Sequence, residues 1–64
     1  MYVILDDSGL MVSGYNAEHM IIQRTEDPTK ARRFASPKYA ERWAKRYTGA
    51  GYGLDTYKIV KLEN

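Results

Sequence analysis

At 64 residues, with a formal charge of +2, one histidine and no cysteine, the chain is at most one domain, 1–64, with a thin core. A disulfide framework and a Cys/His zinc centre are excluded. Aromatic packing or self-association must then supply stability, and the expected state is monomer or homodimer. The chain opens on a strand pattern without a basic n-region or a long apolar run. The expectation is neither a signal peptide nor a membrane span, and a cytoplasmic location.

Tyr2-Val3-Ile4-Leu5 is a β-type apolar run closed by Asp6-Asp7-Ser8-Gly9. Asp and Ser favour a turn, and Gly9 suits the positive φ of a bulged hairpin. Leu10 to Tyr15 returns as a second strand, with Gly14 marking a bulge or a close approach. After Asn16-Ala17-Glu18-His19, Met20 to Thr25 reads as a third strand or an irregular extended segment. Asp27-Pro28 and Ser36-Pro37 each set a capping side chain before a proline. Proline pushes its predecessor out of the α region and itself fits the first helical position.

The first of these starts predicts a helical turn or two, with Ala31, Phe34 and Ala35 inward. The second predicts the main helix, Pro37 to about Tyr47. It stops at Thr48-Gly49-Ala50-Gly51, with Gly49 as a left-handed cap. Leu54 to Leu62 closes the chain as a strand, with Tyr57 and Ile59 on one face and Lys58, Val60 and Leu62 on the other. The predicted fold class is α+β: a small antiparallel sheet of three to four strands packed on one main helix, in the order β-β-(β)-α-β.

Charge is segregated along this layout. Residues 1–23 carry Asp6, Asp7 and Glu18 and no Lys or Arg. Residues 24–46 carry Arg24, Lys30, Arg32, Arg33, Lys38, Arg42, Lys45 and Arg46 against Glu26, Asp27 and Glu41. At 100° per residue, Ala40, Trp43, Ala44 and Tyr47 form one stripe on the main helix, which reads as core with Trp43 as its anchor. The opposite face holds Lys38, Arg42 and Lys45, with Arg46 on its flank. Lys38–Arg42 and Arg42–Arg46 are like-charge pairs at i,i+4, each destabilising by roughly 0.2–0.5 kcal/mol. A face kept only for solubility would mix its signs. Docking on an anionic partner therefore outweighs mere solvation, and Arg32 and Arg33 extend the candidate binding set. Tyr39 and Tyr52 are secondary contacts if exposed, able to stack on a base or anchor an interface. The favoured reading is that both cover the margin of a thin core.

Signals for chemistry are poor, so no catalytic residue, metal ligand or cofactor is expected. His19 has only Glu18 beside it, too little for a metal site. Asp6 and Asp7 are turn residues rather than an acid/base pair. Gly49 to Gly53 resembles a phosphate loop in composition only, because it follows a helix and leads into a strand.

The pieces Met1–Ile4, Thr25–Phe34 (Thr-x-Asp-Pro-x-Lys-Ala-x-x-Phe), Ser36–Ala44 (Ser-Pro-x-x-Ala-x-x-x-Ala) and Tyr57–Glu63 together cover most of the chain. In them the chain resembles the short ββαβ-type proteins of bacteriophages and other mobile elements. Several such proteins are accessory or anti-defence factors, anti-CRISPR proteins among them. The resemblance implies a non-catalytic inhibitor of a host defence complex, whether host protein or ribonucleoprotein, acting by excluding nucleic acid or blocking assembly. The matching positions are caps, core aromatics and a closing strand, so the resemblance transfers no functional residue. The alternative is a small nucleic-acid-binding module using the same Arg and Lys side chains on phosphates. A net charge of +2 and an acidic N-terminal hairpin count against that alternative.

Overall fold

The computed structural model of the chain describes residues 1–49 and 51–62. Four strands, β1 (Tyr2–Asp6), β2 (Met11–Asn16), β3 (Ile21–Thr25) and β4 (Tyr57–Lys61), form one antiparallel sheet in the order β3-β2-β1-β4. The helix α1 (Pro37–Tyr47) lies between β3 and β4 in sequence. The α+β class and the order β-β-β-α-β are those read from the sequence.

Local chemistry explains where each element stops. Asp6 closes β1 by turning its carboxylate back on the chain, where Oδ1 accepts from Ser8 N, Ser8 Oγ and Leu10 N at 2.8–2.9 Å. Asn16 does the same after β2, accepting from Glu18 N and His19 N. Met20 takes φ 54° in the hairpin tip, so β3 begins at Ile21 rather than at Met20. The register of β2 on β3 slips between Val12 and Gly14, which is the expected bulge. Ser36 caps α1 in extended conformation and accepts from Tyr39 N. Beyond Thr48, Gly49 turns left-handed at φ 73°, a conformation that strains any residue with a Cβ. Ala50, part of the expected helix stop, and Glu63 of the closing segment lie outside the described residues.

Two expectations are corrected. After Asp27 there is one hydrogen-bonded turn, with Lys30 N donating to Asp27 O at 3.0 Å, and the chain then runs extended. Ala31 and Phe34 are buried, but Ala35 is exposed, because neighbouring side chains in extended backbone point to opposite sides and Phe34 takes the inward one. The closing strand begins at Tyr57 rather than Leu54. Leu54 instead bridges in parallel to Thr48 and is buried beneath the helix end.

The unusual feature is how β1 and β2 part. They pair directly only at Leu5↔Met11, next to their turn. Farther along, the segment ending in Phe34 enters the gap. Tyr2 and Phe34 exchange both backbone hydrogen bonds at 2.8 Å, and Arg32 N donates to Val12 O at 3.0 Å. A non-strand segment thus satisfies backbone groups on both diverging strands.

The core lies between sheet and helix. Ile4, Val12, Ile22, Phe34, Ala40, Ala44 and Leu54 form one buried cluster, edged by Tyr2, Tyr15, Trp43, Tyr47, Tyr52, Tyr57 and Ile59. Alanines at positions 40 and 44 let the helix approach the sheet closely. The cost is that Trp43, expected as the central anchor, is only half-buried on the rim. It packs against Phe34 and Tyr47, with ring centroids 5.9 and 4.7 Å away.

Asp6 is the buried acid among the described residues, and Arg24 of β3 reaches across β2 to it. The pair is an ionic contact: Nε of Arg24 sits against Oδ2 without the alignment of a hydrogen bond. Nη2 of Arg24 donates to Gly53 O, tying the glycine loop to the same point. Burial raises the Asp6 pKa, but the bonds from Ser8 and Leu10 and the charge of Arg24 outweigh it and hold the carboxyl below its ordinary value. A folded-state pKa that is depressed gives stability that is present above the unfolded pKa of about 3.9 and lost as pH falls through the folded value. The melting temperature is therefore expected to fall as pH drops below about 4. Asp6→Ala should cost on the order of 3 kcal/mol by chemical denaturation, because it strands Arg24 and two backbone donors. The variant should also lose part of the acid sensitivity. A wild-type melting temperature that stays flat to about pH 3 would show that the Asp6 contacts carry no net energy.

Candidate functional site

The helix presents its outer face as expected: Lys38, Tyr39, Arg42, Lys45 and Arg46 are exposed while Ala40 and Ala44 are buried. The structure divides this face into two unlike flanks. On one, Glu41 Oε1 accepts from Tyr57 Oη of β4 at 2.9 Å and faces Lys45 Nζ at 3.8 Å. The Lys45–Glu41 pair is largely solvated and adds little stability, but it does set an acid among the lysines. Burial pushes the Tyr57 phenol up, and the Glu41 carboxylate pushes it further in the same direction.

The other flank is cationic and aromatic. The Arg42 guanidinium lies over the Tyr39 ring, 5.9 Å from its centroid. The Arg32 guanidinium lies over both Phe34 and Trp43, 5.5 Å from each centroid. Trp43 follows Tyr39 by four residues and precedes Arg46 by three, so these side chains are neighbours on the helix surface. The insertion between β1 and β2 therefore carries Arg32 to the edge of the helix, where it continues the strip Arg42, Tyr39, Arg46 and Trp43. Among the described residues, acids pair only with Arg24 and Lys45, so Arg32, Arg42 and Arg46 have no ionic partner there.

Of the candidates from the sequence, Arg32, Lys38, Arg42, Lys45 and Arg46 are exposed around the helix, with Lys45 partly committed to Glu41. Arg33 is not brought in. It follows Arg32 in an extended segment, and its Nη2 donates back to Pro28 O at 3.2 Å. Tyr52 packs as the margin reading expects, edge-on to Tyr15 and Tyr47 at 5.4 and 5.5 Å. Burial, then the neighbouring Tyr52 and Tyr47 phenols, raise the pKa of Tyr15 in this cluster. For Tyr39 the margin reading is overturned: the residue is 57% exposed and lies outside the core cluster. It lies at the outer edge of the helical stripe, and burying Ala40 and Ala44 turns it away from the sheet.

The sequence did not single out the role of Arg24, which serves the interior, or the Arg32–Trp43 contact. The second requires residues eleven apart to meet across the inserted segment, and no local pattern signals that. A shallow groove of about 340 Å³ lies elsewhere, between the β1–β2 turn and the start of β4, lined by Leu5, Asp6, Asp7, Gly9, Thr56, Tyr57 and Lys58. Its charges are mixed, and Asp6 is already engaged with Ser8, Leu10 and Arg24. No helix among the described residues is long and apolar enough to cross a membrane.

No family model, curated protein or solved structure matches the chain. The character of the site rests on its own chemistry: fixed guanidinium groups beside exposed or half-exposed rings, a surface suited to anions and to flat π-systems.

The contrast between adjacent arginines is measurable. Arg32→Ala should lower stability by about 0.5–1 kcal/mol through loss of its two ring contacts, and should shift Trp43 fluorescence. Arg33→Ala should leave both close to wild type. Equal behaviour of the two variants in denaturation and emission spectra would refute the placement of Arg32 over Trp43.

Proposed function

We propose that the protein is a non-catalytic binding domain that docks on an anionic macromolecular partner through the Arg32, Tyr39, Arg42 and Arg46 strip. The observation that carries this reading is the asymmetry of the helix. One flank is moderated by Glu41, while the other sets guanidinium groups and rings together with no acid paired to them among the described residues. The like-charge pairs Lys38–Arg42 and Arg42–Arg46 each cost the free protein a few tenths of a kcal/mol. An anionic partner would remove that repulsion on binding, so the strip is better matched to a complex than to water.

For the partner, the resemblance to short phage proteins supports a host defence complex, inhibited in the anti-CRISPR manner inside the infected or element-carrying cell. The strip would dock on an acidic protein surface of that complex or on its guide RNA, and so exclude nucleic acid or block assembly. An interface of ordinary size, roughly 800 Å² per partner, would engage most of the helix and the adjoining Arg32 segment.

The double substitution Arg42→Gln/Arg46→Gln tests this. It relieves both like-charge pairs, roughly 0.2–0.5 kcal/mol each, and gives up the Arg42–Tyr39 ring contact of similar size, so stability should stay close to wild type. Elution from heparin should shift to lower salt. In a host with an active RNA-guided defence, wild type should restore plaque formation by a sensitive phage and the folded variant should not. If the variant stays folded with unchanged heparin elution and unchanged rescue, the strip is only solvated surface.

A further inference from the structure

We infer that the anionic surface gripped by this strip is single-stranded nucleic acid, with Arg32, Arg42 and Arg46 on phosphates and one unpaired base stacked on Tyr39. The inference rests on the docking reading above and specifies its ligand. Three observations favour a single strand over an acidic protein surface or a duplex.

The first is Tyr39 itself. The residue is 57% exposed in the first turn of α1, outside the core cluster. Packing gives no account of it, and a carboxylate-bearing partner would engage the guanidinium groups without using the ring. A base would use it, because every base has a π-face and stacking tolerates any sequence.

The second is the setting of the ring. Arg42 lies 5.9 Å from its centroid, and Trp43 beside it is already covered by Arg32 at 5.5 Å. Planar cations and rings thus alternate along one flank. This is the mixed arrangement by which single strands are held, phosphates on cations and bases on rings. Arg42 and Arg46 are four residues apart, a rise of roughly 6 Å along the axis. That is of the order of the separation between successive phosphates on an extended strand.

The third is the narrowness of the strip. Past Lys38, Glu41 stands on the far side of the helix beside Lys45, and Arg33 is turned to Pro28. A duplex, rigid and charged on both strands, favours a broad basic surface. A flexible single strand can follow a ridge one helix wide.

The test is fluorescence anisotropy at low salt, using the full chain and labelled oligo-uridylate, oligo-thymidylate, a duplex of equal length and poly-glutamate. Single strands should bind more tightly than the duplex and poly-glutamate. Tyr39→Ala should weaken single-strand binding by about 5- to 100-fold, the loss expected for one stacked base, while barely changing the duplex affinity or heparin elution. Tyr39→Phe should keep single-strand affinity, since the ring and not the hydroxyl makes the stack. Circular dichroism should show both variants folded, as position 39 is exposed. Equal affinity for uridylate and thymidylate would assign the contact to phosphates and rings alone; a uridylate preference would add a contact to the ribose hydroxyl. The inference is overturned if Tyr39→Ala binds single strands like wild type, or if duplex or poly-glutamate binds as tightly as the single strands. Should that happen while Arg42→Gln/Arg46→Gln still elutes early from heparin, the docking reading survives with a different ligand. Unchanged heparin elution would remove both.

Discussion

The chain between β3 and α1 has to enter the sheet, and most of the remaining arrangement depends on that entry. β1 and β2 separate after Leu5↔Met11, which exposes backbone donors and acceptors along the gap. Tyr2 and Val12 find partners in Phe34 and Arg32, so the insertion fills what would otherwise be unpaired polar edges in a domain with little apolar surface to spare. Its register then fixes three things at once. Phe34 enters the core, Ser36 arrives where it can cap the helix, and Arg32 reaches the rings at the helix margin. A shift of one residue would exchange Arg32 for Arg33 and expel Phe34.

The opposite end of the sheet is held by charge. Asp6 is enclosed by donors from its own turn and by Arg24, which also holds the glycine loop through Gly53 O. Three segments distant in sequence are thus joined through Asp6 and Arg24. Burying such a group is tolerable because each oxygen is engaged. The arrangement also removes Arg24 from the basic surface. Counting charges along the chain includes it, yet its partly buried side chain is committed to Asp6 and Gly53 O.

What could be read from the sequence, and what could not, divides along local and non-local lines. The capping pairs Ser36-Pro37 and Asp27-Pro28, the turn at Asp6–Gly9 and the left-handed Gly49 are choices made by neighbouring backbone. Their residue types therefore indicate them directly. The alanine stripe follows from helical period. The parting of β1 and β2 leaves no such mark, because it is decided by which segment best pairs two diverging edges. The same blindness covers the candidate site. Period places Arg42 and Arg46 on the outer face, but it cannot show that Glu41 is drawn to Tyr57, that Arg33 bends to Pro28, or that Tyr39 stands clear of the core.

The cationic rim follows from the way a small core is closed. With Ala40 and Ala44 as the contact residues, the helix sits close to the sheet and its long side chains cannot all fit beneath it. Trp43 and Tyr47 are displaced to one side and Glu41 to the other. A half-buried indole leaves apolar surface open to water, and the Arg32 guanidinium covers part of it while keeping its own charge hydrated. Stability and recognition thereby share side chains. Arg32 protects the core margin in the free protein and offers a cation to a partner. Arg42 and Arg46 carry repulsion without a comparable packing role. Effects of Arg32 variants on binding must therefore be separated from effects on folding, whereas at Arg42 and Arg46 relief of repulsion and loss of the Tyr39 contact nearly offset, leaving binding as the main readout.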